Sequence, residues 1–145
     1  MIYLWWLILG ALLAGAYIYV GTRISWISLK ANLAIGLVVA AIIYVGFAFV
    51  WGGTHWVLIE SLGIPIHGLM AWLGVKKSPV WLAVGWMLHM PWDLFLHYIG
   101  PGFHVAPEWF MFACFSFDLV VGGYVLLWVN GRLPSQNEQK RLGGI

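Results

Sequence analysis

The residue types that could bind a metal or move protons are gathered in the central part of this 145-residue sequence. All five histidines lie between positions 55 and 104, and four of the five acidic residues lie between positions 60 and 118. Spacings of four or seven residues put such side chains on shared faces of helices. Three faces carry the polar groups: His89, Asp93 and His97; Glu60 and His67; and Cys114 with Asp118.

Imidazoles and carboxylates at helical spacing favour a transition-metal site, because zinc, copper, iron and manganese accept these donors. We take His89, Asp93 and His97 as the first candidate ligands. The further candidates, as ligands or as neighbours of a ligand, are Glu60, His67, His104 and Asp118. The pattern predicts a metal-binding protein, for which oxidoreductase chemistry is one candidate activity. The metal, the reaction and the substrate stay open.

Three other uses of these side chains also stay open. His67 and His89 fall at similar expected depths on neighbouring spans, which would suit bis-histidine ligation of haem b. Tiers of Asp, Glu and His would suit a proton or ion path. A third alternative is a non-catalytic small subunit of a larger membrane complex, in which Asp93 and a histidine form a structural hydrogen-bonded pair.

The segments that carry these residues have the composition of membrane-spanning helices. The sequence is 63% hydrophobic and only 8% charged, whereas soluble domains contain about 25% charged residues. A helix needs about 20 mostly apolar residues to span a bilayer, and five segments qualify: 2–20, 31–51, 55–74, 79–99 and 108–129. We therefore predict an all-α, polytopic bundle of five transmembrane helices in one domain, 1–129, with a polar tail, 130–145.

The positions of the positive charges predict an orientation. With five spans, all seven Lys and Arg residues fall on one side of the membrane, and such residues accumulate on the cytoplasmic side. We expect the N-terminus outside and the tail in the cytoplasm of a multi-pass protein of the cell (inner) membrane. The expected partner is the lipid bilayer, and a homo-oligomer or a larger complex stays open. No basic run or other nucleic-acid motif is present, and the single cysteine excludes an internal disulfide.

Helix rise gives each polar residue an expected depth. Counted from the outer surface, the rim holds His55, His97, His104 and Glu108. Glu60 and Asp93 come roughly 8–10 Å in, and His67, His89 and Asp118 roughly 15–18 Å in, near mid-membrane. The sequence thus predicts a polar pocket between spans three, four and five that opens to the outer face. Spans one and two, without acidic or histidine residues, are expected to be scaffold.

The stretch 85–118 carries a further pattern, with a His-x-x-Trp-Asp core. Its residues are Gly85, Trp86, Leu88, His89, Trp92, Asp93, His97, Gly100, Ala106, Pro107, Cys114 and Asp118. This stretch resembles a family of small bacterial integral membrane proteins known as domain of unknown function 6010. Two departures are Leu96, where that pattern has a second His, and Glu108 to Phe110, where it has small polar residues. The resemblance implies a fold and a candidate site, and no activity.

Overall fold

The chain is predominantly helical in the part that this computed structural model describes, residues 2–24 and 27–133. The α-helices are α1 (Ile2–Arg23), α2 (Leu29–Phe47), α3 (Thr54–Ser61), α4 (Gly63–Lys76), α5 (Val80–Asp93) and α6 (Glu108–Val129). Two π-helical turns, Ala48–Gly52 and Leu94–Tyr98, extend α2 and α5. These ranges contain no β-strand, which confirms the predicted all-α class.

Among the described residues, four helical segments are long and apolar enough to cross a membrane: Ile2–Arg23, Leu29–Gly52, Thr54–Lys76 and Glu108–Val129. The remaining long segment, 80–98, joins the 14 residues of α5 to the 5 residues of its π-helical turn. Large apolar side chains such as Trp5 and Phe49 point outward, with 69% and 80% of their surface exposed. A lipid environment would cover them. The predicted tail lies, from residue 134 onward, outside the described residues.

The helices pack as a bundle around α5 and α6. The main contacts join α1 to α6, α5 to α6 and α2 to α4. Gly10 makes the first of these possible, because a Cβ atom there would overlap the carbonyl group of Ala113 on α6. Small residues at such crossings let helix backbones approach closely in a membrane. The apolar core lies toward the predicted cytoplasmic half, around Leu33, Leu37 and Val121.

The segment expected as one helix over 55–74 is interrupted at Leu62. α3 ends at Ser61 and α4 begins at Gly63, with Leu62 in a turn between them. Pro65 explains the break, because proline has no N–H to bond the carbonyl four residues earlier, at Ser61. The interruption lies between the positions of Glu60 and His67, so the two side chains belong to different helices.

The second departure from a regular helix follows Pro91 in α5. The backbone changes to the wider π pattern at Leu94, where the N–H of Ile99 donates to the Leu94 carbonyl, five residues back, at 3.0 Å. The chain then folds back over this turn, and the Gly102 N–H donates to the Leu96 carbonyl at 2.9 Å. The turn and the folded-back loop together determine where His97 points.

Candidate functional site

The centre of the polar cluster is formed by His89 and Asp93 on α5 and Asp118 on α6. His89 Nδ1 lies 2.8 Å from Asp118 Oδ2 and 3.6 Å from Asp93 Oδ2. All three side chains are buried. One ligand atom from each lies within 4.8 Å of the other two, so the group could hold a metal ion. The four-residue spacing of His89 and Asp93 predicted their proximity, and α6 brings in the second carboxylate.

Tyr44 on α2 completes this group from the opposite side. Its hydroxyl donates to Asp93 Oδ2 at 2.7 Å, and its ring stacks on the His97 imidazole with centroids 4.9 Å apart. The expectation that span two is only scaffold is therefore wrong. The buried polar cluster is enclosed by α2 as well as by the three spans expected from the sequence. The sequence analysis overlooked Tyr44 because a tyrosine in an apolar run carries no charge that would mark it as a site residue.

His97 is directed to Glu60 rather than to His89 and Asp93. His97 Nε2 lies 3.3 Å from Glu60 Oε1, and His97 Nδ1 donates to the Gly102 carbonyl at 3.2 Å. The indole N–H of Trp92 donates to the other Glu60 oxygen at 3.2 Å. Both Glu60 and His97 are buried, although His97 was expected at the rim. Of the three residues predicted to form one unit, His89 and Asp93 lie close together. His97 instead contacts Glu60.

His67 lies beside His89 within the same buried region. Its Nδ1 donates to the Gly63 carbonyl at 2.8 Å, one helical turn back. Its ring meets the His89 ring edge-on, with centroids 4.9 Å apart. The two histidines thus lie at similar depth, as the haem alternative requires. The rings contact each other directly, however, so a porphyrin between them would require one ring to move.

The remaining candidates lie outside this cluster. His104 is exposed in the loop before α6, where its ring meets Trp56. His55 and Glu108 are exposed as well, and the Glu108 carboxylate accepts a bond from the Tyr3 hydroxyl at 3.3 Å. Cys114 is half-buried on α6, one turn from Asp118, and lines an apolar cavity.

The cluster contains more hydrogen-bond acceptors than donors. Because the Nδ1 atoms of His67 and His97 donate to carbonyl groups, their neutral rings present Nε2 as an acceptor. Within residues 2–24 and 27–133, four buried side-chain atoms that can accept make no hydrogen bond: Glu60 Oε1, His67 Nε2, Asp93 Oδ1 and, in a neutral ring, His97 Nε2. Two of them, Glu60 Oε1 and His97 Nε2, face each other. Such groups are normally satisfied when buried, so the arrangement calls for bound cations or protons.

No basic side chain neutralises the buried acids within residues 2–24 and 27–133. The close contacts of Glu60, Asp93 and Asp118 with basic groups in this part of the chain are made with histidines alone, which carry a charge only when they are protonated. Placing ionised carboxylates in a low-dielectric interior costs several kcal/mol each unless they are paired. A metal cation would remove this cost more completely than a titrating imidazole.

Three contributors to the site were not among the site residues chosen from the sequence: Tyr44, Trp92 and the carbonyl of Gly102. A signal existed for Trp92, because it follows Pro91 next to Asp93 and belongs to the His-x-x-Trp-Asp core. Backbone carbonyls carry no sequence signal at all. Tyr44 could have been found only by asking which buried side chain donates a hydrogen bond to the Asp93 carboxylate.

The chain matches a known protein family over most of its length. The model of the Family of unknown function (DUF6010) matches residues 6–132, nearly the whole described chain. No curated protein and no solved structure matches the sequence. The match extends the resemblance seen over 85–118 to the first, second and third spans and to the end of α6.

Proposed function

Since the chain belongs to this family of unknown function, we propose from its own geometry that it is a metal-binding membrane protein whose ion is held by His89, Asp93 and Asp118. The observation that carries the proposal is the convergence of three buried ligand atoms from two helices within 4.8 Å of one another. Their donor set, one imidazole and two carboxylates, suits iron, manganese or zinc.

The separations of the ligand atoms support this site. Neighbouring ligands around an ion with bonds of 2.0–2.2 Å lie about 3–3.5 Å apart. The distances of 2.8 and 3.6 Å from His89 Nδ1 to the two carboxylates bracket this spacing. Without a metal, a proton on His89 Nδ1 would donate to Asp118 Oδ2. Metal uptake would release that proton, so affinity would rise with pH.

Three protein ligands leave further coordination positions free. Structural metal sites are usually closed by four protein ligands, whereas catalytic sites keep one position for water or substrate. Around the ion, Tyr44 would hold Asp93 through its hydrogen bond, and the His67 ring would cover His89. Glu60 and His97 would lie next to the ion site as a pair of groups that can accept a proton. This arrangement suits an oxidoreductase or a hydrolytic enzyme of the membrane.

A proton path is the second candidate function. The observation that favours it is a row of buried groups with short contacts: Glu60 to His97, Tyr44 to Asp93, and Asp93 through His89 to Asp118. The stacked contact of Tyr44 on His97 connects the two halves without a hydrogen bond. A proton path requires no metal, so metal content separates the two candidates.

The experiment is metal analysis of protein purified from membranes without chelators. We expect about one transition-metal ion per chain, as this donor set would hold. The variants Asp118→Asn and His89→Gln should lose metal about tenfold or more, because each removes a charge or a donor from the site. The matched controls are Glu108→Gln and His104→Ala, since both residues are exposed outside the cluster.

Thermal unfolding of each variant distinguishes the loss of a metal ligand from the loss of the folded structure. If Asp118→Asn unfolds at the wild-type temperature but retains its metal, the proposed ligand set is wrong. If the wild type contains no metal and binds none when dialysed against iron, manganese or zinc, the metal proposal fails. A proton path or a non-catalytic subunit of a larger complex would then be the better interpretation.

A further inference from the structure

A groove on the surface of the bundle lies between α2 and α4. It measures about 390 Å³, and its walls are apolar apart from Lys76. On α2 the walls include Ile35 and Val39, which are 54% and 45% exposed. On α4 they include Trp72, which is 54% exposed. If the long apolar segments span a membrane, these side chains face acyl chains.

Three lysines lie at one end of this groove. The chain turns at Gly53 and α4 returns along α2, so the end of α4 lies near the start of α2. The lining begins at Ala34 on α2 and ends at Lys76 on α4. Lys30 lies four residues before Ala34, one turn beyond the groove on the same face of α2. Lys77 follows Lys76 directly at the end of α4.

The positive charge at this end is not neutralised by any carboxylate in residues 2–24 and 27–133. These ranges contain four acids. Glu60, Asp93 and Asp118 contact histidines in the buried cluster. Glu108 lies at the opposite end of the bundle, where it accepts a bond from Tyr3 at the start of α1. In the described part of the chain, the lysine end of the groove therefore attracts an anion.

The shape of a lysine explains how an apolar groove can end at a charge. The hydrocarbon stem of a lysine packs along apolar surface while its ammonium group stays in the polar layer. Lys76 lines the groove and is exposed, as this geometry requires. Trp72, one turn earlier on α4, has the kind of ring that prefers the head-group level. The groove thus offers an apolar surface for a chain, with positive charges at the level of the head groups.

We propose that this groove binds an anionic phospholipid, whose acyl chain lies between α2 and α4 and whose phosphate is bound by Lys30, Lys76 and Lys77. Charge complementarity favours this occupant, because basic pockets between membrane helices bind anionic head groups. A second copy of the chain fits less well, since a symmetric dimer through this groove would bring the lysines of both copies together. The proposal rests on the membrane location in the proposed function and is independent of the metal site.

The test counts bound lipids by native mass spectrometry. Purified protein in a non-ionic detergent is titrated with palmitoyl-oleoyl phosphatidylglycerol and, in parallel, with the phosphatidylcholine that carries the same chains. We expect one phosphatidylglycerol per chain to bind about tenfold to thirtyfold more tightly than phosphatidylcholine. The reason is that each lysine near the head group contributes about fivefold to the affinity for an anionic lipid.

Two sets of variants separate this site from general effects. Lys30→Gln and Lys76→Gln should each lower the phosphatidylglycerol affinity about fivefold. Arg132→Gln removes the same charge beyond the end of α6, away from the groove, and should change the affinity less than about twofold. Ile35→Trp should fill the groove and weaken both lipids about tenfold, by displacing about two buried CH₂ groups. Ile42→Trp, at a position on α2 that is 49% exposed and does not line the groove, should not.

Four outcomes would overturn the proposal. Equal binding of the two lipids by the wild type would mean that the groove does not distinguish the charge of the head group. An equal loss in Lys76→Gln and Arg132→Gln would mean that only the total charge of this end attracts anionic lipid. Unchanged binding in Ile35→Trp would place the lipid outside the groove. A dimer without lipid would mean that a second copy covers it.

Two controls keep the result independent of folding and of the metal. Thermal unfolding is measured for each variant, and Lys77→Gln replaces either lysine variant that fails to fold. Metal content is measured on the same samples. A protein that binds phosphatidylglycerol and lacks metal would refute only the metal proposal, whereas one that contains metal and shows no lipid preference would refute only the proposed lipid site.

Discussion

The Tyr44 hydroxyl donates to Asp93 Oδ2 at 2.7 Å and so joins two buried residues that are 49 positions apart in the chain. The bond connects α2 to α5 at the centre of the polar cluster. The ring of the same tyrosine stacks on His97. Tyr44 thus contacts both halves of the site, the His89 group through its hydroxyl and the Glu60 pair through its ring.

Tyr44→Phe removes that donor and leaves the Asp93 carboxylate without its hydroxyl partner. We expect a loss of about 1–3 kcal/mol in the free energy of unfolding, the cost of an unsatisfied buried group. Metal affinity should fall about 10–100-fold, as it does when a partner of a ligand is removed. Tyr19→Phe is the control, because Tyr19 is exposed. Equal stability of both variants in denaturant titrations would contradict the role given to Tyr44.

Glu60→Gln tests whether Glu60 and His97 face each other as two acceptors. The glutamine oxygen can still accept from Trp92, and its amide N–H₂ can donate to His97 Nε2. We expect unchanged stability or a gain of about 0.5–1.5 kcal/mol, the value of one hydrogen bond. A loss of about 3–5 kcal/mol would instead indicate an ionised pair with a protonated His97. Thermal unfolding in the same detergent distinguishes the two results.

Gly102→Ala should destabilise the loop that covers His97. A Cβ atom at Gly102 would lie 2.7 Å from the Trp56 ring and 2.8 Å from the Leu96 carbonyl oxygen. We expect a loss of about 1–3 kcal/mol from this overpacking. Gly123→Ala, in α6, is the control, because no atom of the described part of the chain lies within 4 Å of its Cβ position. That variant should be neutral or more stable by up to about 1 kcal/mol, and unfolding midpoints will show the difference.

The orientation in the membrane is tested with single cysteines in a Cys114→Ser background. Thr54→Cys lies at the start of α3, and Ser78→Cys lies between α4 and α5. From the placement of the Lys and Arg residues, we expect Thr54→Cys to react with an impermeant maleimide from outside. Ser78→Cys should react only after the membrane is opened. Reaction of both from the same side would contradict the five-span arrangement.

Hydropathy was sufficient to predict the all-α class, because lipid-facing and core-facing residues are both apolar in a bilayer. It did not predict the interruption between α3 and α4. Helical spacing was sufficient to predict that His89 lies near Asp93, since the backbone between them is regular α-helix. Neither signal could predict the partner of His97. Its direction depends on the hydrogen-bond pattern after Leu94 and on the return of the chain to Gly102.

Tyr44 shows a different limit. The pairing of Asp93 with a residue on α2 is a contact between segments distant in sequence, and the four-residue periodicity that relates neighbours on one helix carries no information about it. The same holds for Asp118, whose contact with His89 depends on how α6 packs on α5. Asp118 was chosen as a candidate site residue because it is a charged residue within an apolar span. Tyr44 is uncharged and was not chosen.

The π-helical turn Leu94–Tyr98 has a consequence for how relatives of this chain should be aligned. A π turn accommodates one inserted residue without changing the phase of the helix beyond it. The four-residue interval from Asp93 to His97 therefore corresponds to an interval of three in a regular α-helix. A relative with one residue fewer in this turn could keep its histidine over the equivalent of Glu60. The same deletion before His89 would rotate His89 and Asp93 together by about 100° away from the Asp118 carboxylate on α6.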